Sequence, residues 1–478
     1  MFLSIPTPRV FRILAPFFAV AILVNSCKKK ADKESIEVIT PNKVDTVTYK
    51  SQNDFRDSAY LITKDIYLWS DKLPAIGVFK PRDVLTIHEV MNKVRTYQSL
   101  DKWSFAQLKA ETEESQRGAS TDFGFLVKFL PNSATEMRVT YVYTNSTAGH
   151  AGIQRSWKLN KIDGRIINRS IPEDVNYINN IFFGGTQSAT FEFIKPDGSA
   201  FTTTLEKTSY VLNTVLYRNV YVRGSQKIGY LVFNQFAGPT SITELQSAMG
   251  YLEAQGINEM VVDLRYNPGG FVSTQDYLAN TLAPQSVGKN QTVMYTYKFN
   301  ENFKSWDQSY KFDKIGTLNL SRIVFIVSPS SASASELLIN NLKPVMNVKL
   351  IGETRTYGKP VGFFPIPVFQ YHIFPVSFAT INSAGTSDYF SGFQVDKNVA
   401  DDLLRDFGDE NEANLKEALR YLTTGSFSAI SSGTISSISQ AEVQKVNKLN
   451  MEFMDNLPSS TIEDRPSRMP LPIRNLQE

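Results

Sequence analysis

The sequence predicts an α/β protein with a β-rich module inserted ahead of the main sheet and a small helical segment in front of both. Three observations carry this. Between residues 213 and 425, apolar β-branched runs alternate with helix-length stretches, as repeating βα units require. Residues near 118 to 207 hold short apolar runs punctuated by glycine turns. Ahead of them, Phe55, Ala59, Ile62 and Ile66, then Val84, Ile87, Met91 and Val94, recur at helical spacing. At 478 residues the chain has room for several domains, and 42% apolar against 20% charged residues excludes a disordered chain.

The elements follow in order. Arg9 and Arg12 precede an apolar run, Ile13 to Val24, which Pro16 interrupts and which is too short to span a bilayer comfortably. It ends at Val24-Asn25-Ser26-Cys27, which resembles a bacterial lipobox. The expectation is an export signal over 1–26, lipidation of Cys27, and a chain held in the bacterial cell envelope. A plain signal peptide or short anchor is the alternative. Cys27 is the only cysteine, which excludes internal disulfides and cysteine-based metal sites. Residues 27–50 are polar, hold Pro41 and read as a tether. The formal charge is +3, and removing 1–26 takes away Arg9 and Arg12. What remains has no general attraction for nucleic acid, so that partner is excluded.

Residues 51–117 form the helical segment, with Tyr67, Leu68 and Trp69 as its core. The β-rich module, 118–207, runs through Asp122 to Val127, Val139 to Tyr143, Ser146 to Ile153 and Leu159 to Gly164. These stretches resemble a PDZ domain. The resemblance implies that Phe123, Gly124 and Phe125 offer backbone N–H groups to a C-terminal carboxylate while the peptide adds a strand alongside. Ser156-Trp157 stands where the family has Gly-Asp.

The region 213–425 carries the chemistry. Strand-like runs at Asn219 to Val222 and Lys227 to Phe233 precede a helix from Ile242 to Gln255. Met260 to Arg265 then empties into Tyr266-Asn267-Pro268-Gly269-Gly270, a tight turn with a bare backbone that a substrate carbonyl can approach. Ile323 to Val327 leads into Ser331-Ala332-Ser333-Ala334-Ser335-Glu336 and a helix from Leu337 to Leu342. A serine at such a strand-to-helix turn offers a hydroxyl nucleophile and, beside it, a backbone N–H for an oxyanion. His88, His150 and His372 are the only histidines, and none has a catalytic setting; His372 falls in an apolar strand, Val368 to Phe378. Lys359, after Gly358, is the candidate base. Ser331 and Ser335 read as cap and turn residues, and Glu336 as a complement to the helix dipole.

Together, Val261-Val262-Asp263-Leu264-Arg265-Tyr266-Asn267-Pro268-Gly269-Gly270, the serine cluster and Gly352 to Lys359 resemble the C-terminal processing peptidases, the S41 family of serine proteases. The resemblance spans roughly residues 50 to 425. It implies a ClpP/crotonase-like core, cleavage of polypeptides with no metal or organic cofactor, Ser333 as nucleophile and Lys359 as base. Ala334 and Gly270, or Gly269, would hold the oxyanion. Two positions depart from the family: Pro344 replaces a frequent acid, and Phe363 replaces a glutamine that orients the lysine. A catalytically silent peptide-binding lipoprotein of the same fold, and a crotonase-like acyl-transfer enzyme, are the rival readings. Residues 426–478 form a serine-rich tail.

Overall fold

The βα pattern builds a six-stranded sheet. A computed structural model describes residues 54–429. The spatial order of the sheet is Lys397–Asn398, Asn347–Gly352, Arg322–Val327, Glu259–Asp263, Gln226–Phe233 and Val215–Arg223. All neighbours are parallel except the last two strands, which form an antiparallel pair. The inner strands are covered on both faces, so they read as continuous apolar runs rather than alternating ones. Leu231, Phe233, Met260, Val262, Ile323 and Phe325 face helices Pro239–Ala254, Val272–Leu282 and Ala334–Leu342. The intervening Tyr230, Val232, Val261, Val324 and Ile326 face helix Ala413–Thr424.

The N-terminal helices lie where the spacing predicts. Phe55–Ile66 is capped by Asp54, whose carboxylate accepts from the Arg56 amide at 2.9 Å. Ile87–Arg95 starts at a Thr86/Glu89 capping box. Their buried faces join the same apolar cluster as the main sheet. Strand Phe105–Leu108 also pairs antiparallel with Tyr371–Phe374, stitching the front of the chain to its far end.

Residues 125–206 hold a five-stranded antiparallel sheet, Phe125–Phe129, Met137–Val142, Lys158–Ile162, Ser188–Ile194 and Ala200–Glu206, arranged in chain order. Helix Pro172–Phe183 packs on it, and an aromatic cluster of Phe123, Phe125, Phe182, Phe191 and Phe193 fills the space between. This second core is distinct from that of the large sheet, though Ala237 and Tyr266 reach into it.

One expectation is corrected. Val368 to Phe378 is not a single strand. It folds back at Phe369, whose φ is 51°, so Ile366–Val368 and Tyr371–Phe374 form a hairpin before Phe378–Asn382 joins another sheet. His372 lies on the middle strand of that hairpin sheet, opposite Gln107 and Pro367.

Candidate active site

Strands Glu259–Asp263, Arg322–Val327 and Asn347–Gly352 are adjacent and parallel, so the segments that follow them leave from the same end of the sheet. The carboxyl ends of parallel strands are where α/β sheets place their ligands. Here they bring together Gly269 and Gly270, Ser333 and Lys359.

The hydroxyls flanking Ser333, together with the backbone of the serine turn, hold the three loops in register. Ser331 Oγ donates to the Leu264 carbonyl at 2.7 Å and Ser335 Oγ to the Asn267 carbonyl at 3.0 Å. The Ala332 amide donates to Asn267 O, and the Tyr357 amide donates to Ser331 O. Ser333 is 3% exposed, with φ 58° and ψ −112°. That backbone is costly for a residue with a Cβ and persists only where its surroundings enforce it.

Enforcement comes from Glu336. Its Oε2 accepts from the amides of Ser333 at 3.0 Å and Lys359 at 2.8 Å. Its Oε1 accepts from Gly358 N at 2.7 Å and Thr356 Oγ1 at 2.5 Å. One fully buried carboxylate therefore ties the backbone of Ser333 to that of Lys359. Burial pushes this carboxyl up to about 7, against the pull of Thr356 and the three amides. The amide donors can be satisfied only by acceptors, so the ionised form is the one this geometry requires.

Lys359 is 3% exposed. Burial brings its amine down to about 7, while Asp101 and Glu336 draw it upward. Asp101 comes from the N-terminal segment, where it accepts from Tyr67 Oη at 2.8 Å and from the amides of Trp103 and Ser104. Lys359 Nζ also lies 4.1 Å from the ring centroid of Phe363. Pro344 is in the exposed turn after helix Ala334–Leu342.

The two oxyanion candidates differ. Gly269 spends its amide on Asn267 Oδ1 at 2.9 Å. A Cβ on Gly269 would come within 2.8 Å of Ser333 Cβ and 2.9 Å of Ala334 N, so the bare backbone is what allows this approach. Gly270 has φ 138° and lies against Phe236, yet its amide donates to no acceptor among the described residues. Ala334 N, in the first turn of its helix, likewise has no acceptor there.

The sequence missed three features of this site. Asp101 had no local signal, since its approach depends on the N-terminal segment packing back. Phe363 read only as a departure from a family pattern. Glu336 read as a dipole partner, although Ser-x-x-Glu spacing is also a capping-box signal and could have revealed its bond to the Ser333 amide.

In the β-rich module, Phe123, Gly124 and Phe125 are at the start of strand Phe125–Phe129, beside a cavity of about 480 Å³. Phe123, Phe125 and Phe182 line it together with Glu111, Glu114 and Asp122. The Gly124 amide is not open to a ligand: it donates to Asp122 Oδ1 at 2.6 Å. That oxygen also accepts from Tyr210 Oη at 2.7 Å. Ser156, in the departure from the Gly-Asp pattern, has φ 74°, and Trp157 packs on Phe193 and Phe201. Cys27 is outside the described residues, and among those residues no group of acidic, histidine or cysteine side chains could hold a metal.

Residues 227–394 match the model of Peptidase family S41. A "Probable CtpA-like serine protease" of Staphylococcus saprophyticus is 26% identical over 263 residues, covering 55% of this chain and 50% of its own. A carboxyl-terminal-processing protease of Picosynechococcus is 31% identical over 177 residues, covering 37% and 39%. The chain thus spans half or less of the length of these relatives. A solved S41-type structure from Bacteroides fragilis aligns at a TM-score of 0.62 and 24% identity, covering 77% of this chain and 97% of that one, which shows a shared fold. The matched stretch contains both glycines, Ser333 and Lys359, and through it this chain carries a Peptidase family S41 domain.

Proposed function

We propose that the protein is a serine endopeptidase that hydrolyses polypeptides through Ser333 and Lys359. The observation that carries this reading is the buried constellation at the sheet's carboxyl end: a strained serine and a neutralisable lysine tied to one carboxylate, beside two undonated amides. Neutral Lys359 takes the Ser333 Oγ proton as Oγ bonds to the scissile carbonyl carbon. The amides of Ala334 and Gly270 receive the oxyanion, each contributing about 3 kcal/mol or more. Lys359 returns the proton to the leaving amine as the C–N bond breaks. Water, deprotonated by Lys359, then attacks the ester carbonyl carbon, and Lys359 returns that proton to Ser333 Oγ as the acyl C–Oγ bond breaks.

Polypeptides of the cell envelope are the proposed substrates, cut near their C-termini, with the enzyme anchored through a lipid on Cys27. The β-rich module is read as PDZ-like, its cavity receiving a segment of the substrate. With the Gly124 amide held by Asp122, carboxylate capture through all three loop amides is disfavoured, and an internal segment suits the cavity better.

The test is cleavage of casein by the full chain in detergent, comparing wild type, Ser333→Ala and Lys359→Ala from pH 6 to 10. Both variants should lose at least ~10³-fold in kcat/KM. The wild-type rate should rise as Lys359 deprotonates, reaching half its plateau near pH 7 and staying high above it. Activity surviving in Ser333→Ala would overturn the mechanism. An inert wild type that still binds unfolded polypeptide would favour the silent binding protein.

A further inference from the structure

We propose that Phe363 is the positioning residue for Lys359, its ring face seating the amine that receives the Ser333 proton. This rests on the Ser–Lys reading above. A lysine amine ends a four-carbon stem, and a general base must be held within hydrogen-bond reach of the proton it takes. In this site Nζ lies 4.1 Å from the Phe363 centroid, over the ring face. Phe363 is fully buried and cannot swing away. Phe105 meets its ring edge-on at 5.4 Å and Phe374 at 5.6 Å, while those two stack on each other at 4.4 Å. They are cross-strand partners, so the brace belongs to the sheet that joins the front of the chain to its far end.

The chemistry of a ring suits this position. It confines the amine by contact while neither donating nor accepting a conventional hydrogen bond, so the ring itself does not compete with the serine proton for the lone pair of neutral Lys359. Once that proton arrives, the negative face of the ring stabilises the ammonium. Two carboxylates reinforce that charge: Asp101, ahead of strand Phe105–Leu108, and Glu336, on helix Ala334–Leu342. Burial opposes it. Phe363 thus adjusts both the place and the proton affinity of the base without touching substrate.

The experiment compares pH profiles of casein cleavage by the full chain for wild type, Phe363→Leu and a form carrying pentafluorophenylalanine at 363. Leucine keeps the pocket apolar and removes the ring. The fluorinated ring keeps the shape and reverses the charge of the face, so it remains informative if leucine does not fold, as thermal melting will reveal. Both should lower kcat about 10- to 100-fold with little change in KM. Both should also move the acid limb down by about half to one pH unit, because the ammonium loses its π partner. Phe363→Tyr, which keeps the ring, should leave the limb in place. A limb that stays fixed or rises in the folded variants overturns the inference, whatever the loss of rate. Ser333→Ala separates the two ideas. If it abolishes cleavage while the Phe363 variants keep the wild-type limb, only the role of Phe363 falls; if it retains cleavage, the Ser–Lys reading falls with it.

Discussion

Ser156 illustrates how a single residue can carry strain away from the candidate site. It is buried with φ 74°, a region where glycine is relaxed and serine is not, and its hydroxyl has no hydrogen-bond partner among the described residues. Ser156→Gly should therefore stabilise the fold by about 1 kcal/mol, combining relief of the backbone with removal of a buried unsatisfied group. A chemical-denaturation midpoint that falls would refute this. Ser333 has the same kind of backbone for a different reason. Its strain is countered by the bond from its amide to Glu336, and its Cβ is packed against Gly269. The left-handed serine of the β-rich module lies away from the site, whereas Ser333 is at the strand-to-helix turn, tied to Lys359 through Glu336.

Among the elements, the serine turn and the lysine loop act as one unit because Glu336 accepts hydrogen bonds from both. Glu336→Gln is nearly the same shape, yet its amide would present donor hydrogens to neighbours that are themselves donors. It should cost about 1–3 kcal/mol of stability and lower kcat by roughly 10² or more, since Ser333 and Lys359 would lose their common anchor. Parallel measurement of melting temperature and kcat checks this; unchanged kcat in a folded variant would show that the anchor does not position Ser333 and Lys359 for the proposed reaction. The parallel strands explain why the unit exists. Each ends at the same edge of the sheet, so residues separated by some ninety positions meet without a long loop having to find its own path.

For the whole molecule, the β-rich module is fastened to the main sheet by a buried charge network. Asp401 pairs with Lys128 at 3.6 Å, Arg155 at 3.1 Å and Arg265 at 3.0 Å, and accepts from Tyr266 Oη. Arg265 is also held by Asp263 and Glu412, and Lys128 by Glu353. Burial pushes Asp401 up, but the three cations overcome it and hold the carboxyl well below the usual carboxylate range. Removing it in Asp401→Ala would leave those cations short of a buried counter-charge and should cost about 3–5 kcal/mol. Because Arg265 and Tyr266 lead directly into Asn267 to Gly270, activity should drop as well. A variant with wild-type stability would show that the network is not a fastening.

The sequence by itself determined the α/β character, the helices and the serine and glycine turns, because periodicity and turn chemistry are local properties written over a few residues, whereas Lys359 stood out only by its place in the Gly352 to Lys359 motif. The serine and glycine turns were legible since each follows an apolar strand directly. What only the tertiary structure decided involves contacts between distant segments. Asp101 approaches Lys359, and Phe105 braces Phe363, because the front of the chain pairs with strand Tyr371–Phe374, an event no local spacing records. The hairpin at Phe369 was hidden because an apolar run has the same composition whether it continues or folds back. That Asn267 takes the Gly269 amide was equally hidden, because hydrogen-bond partners are settled in space rather than along the chain.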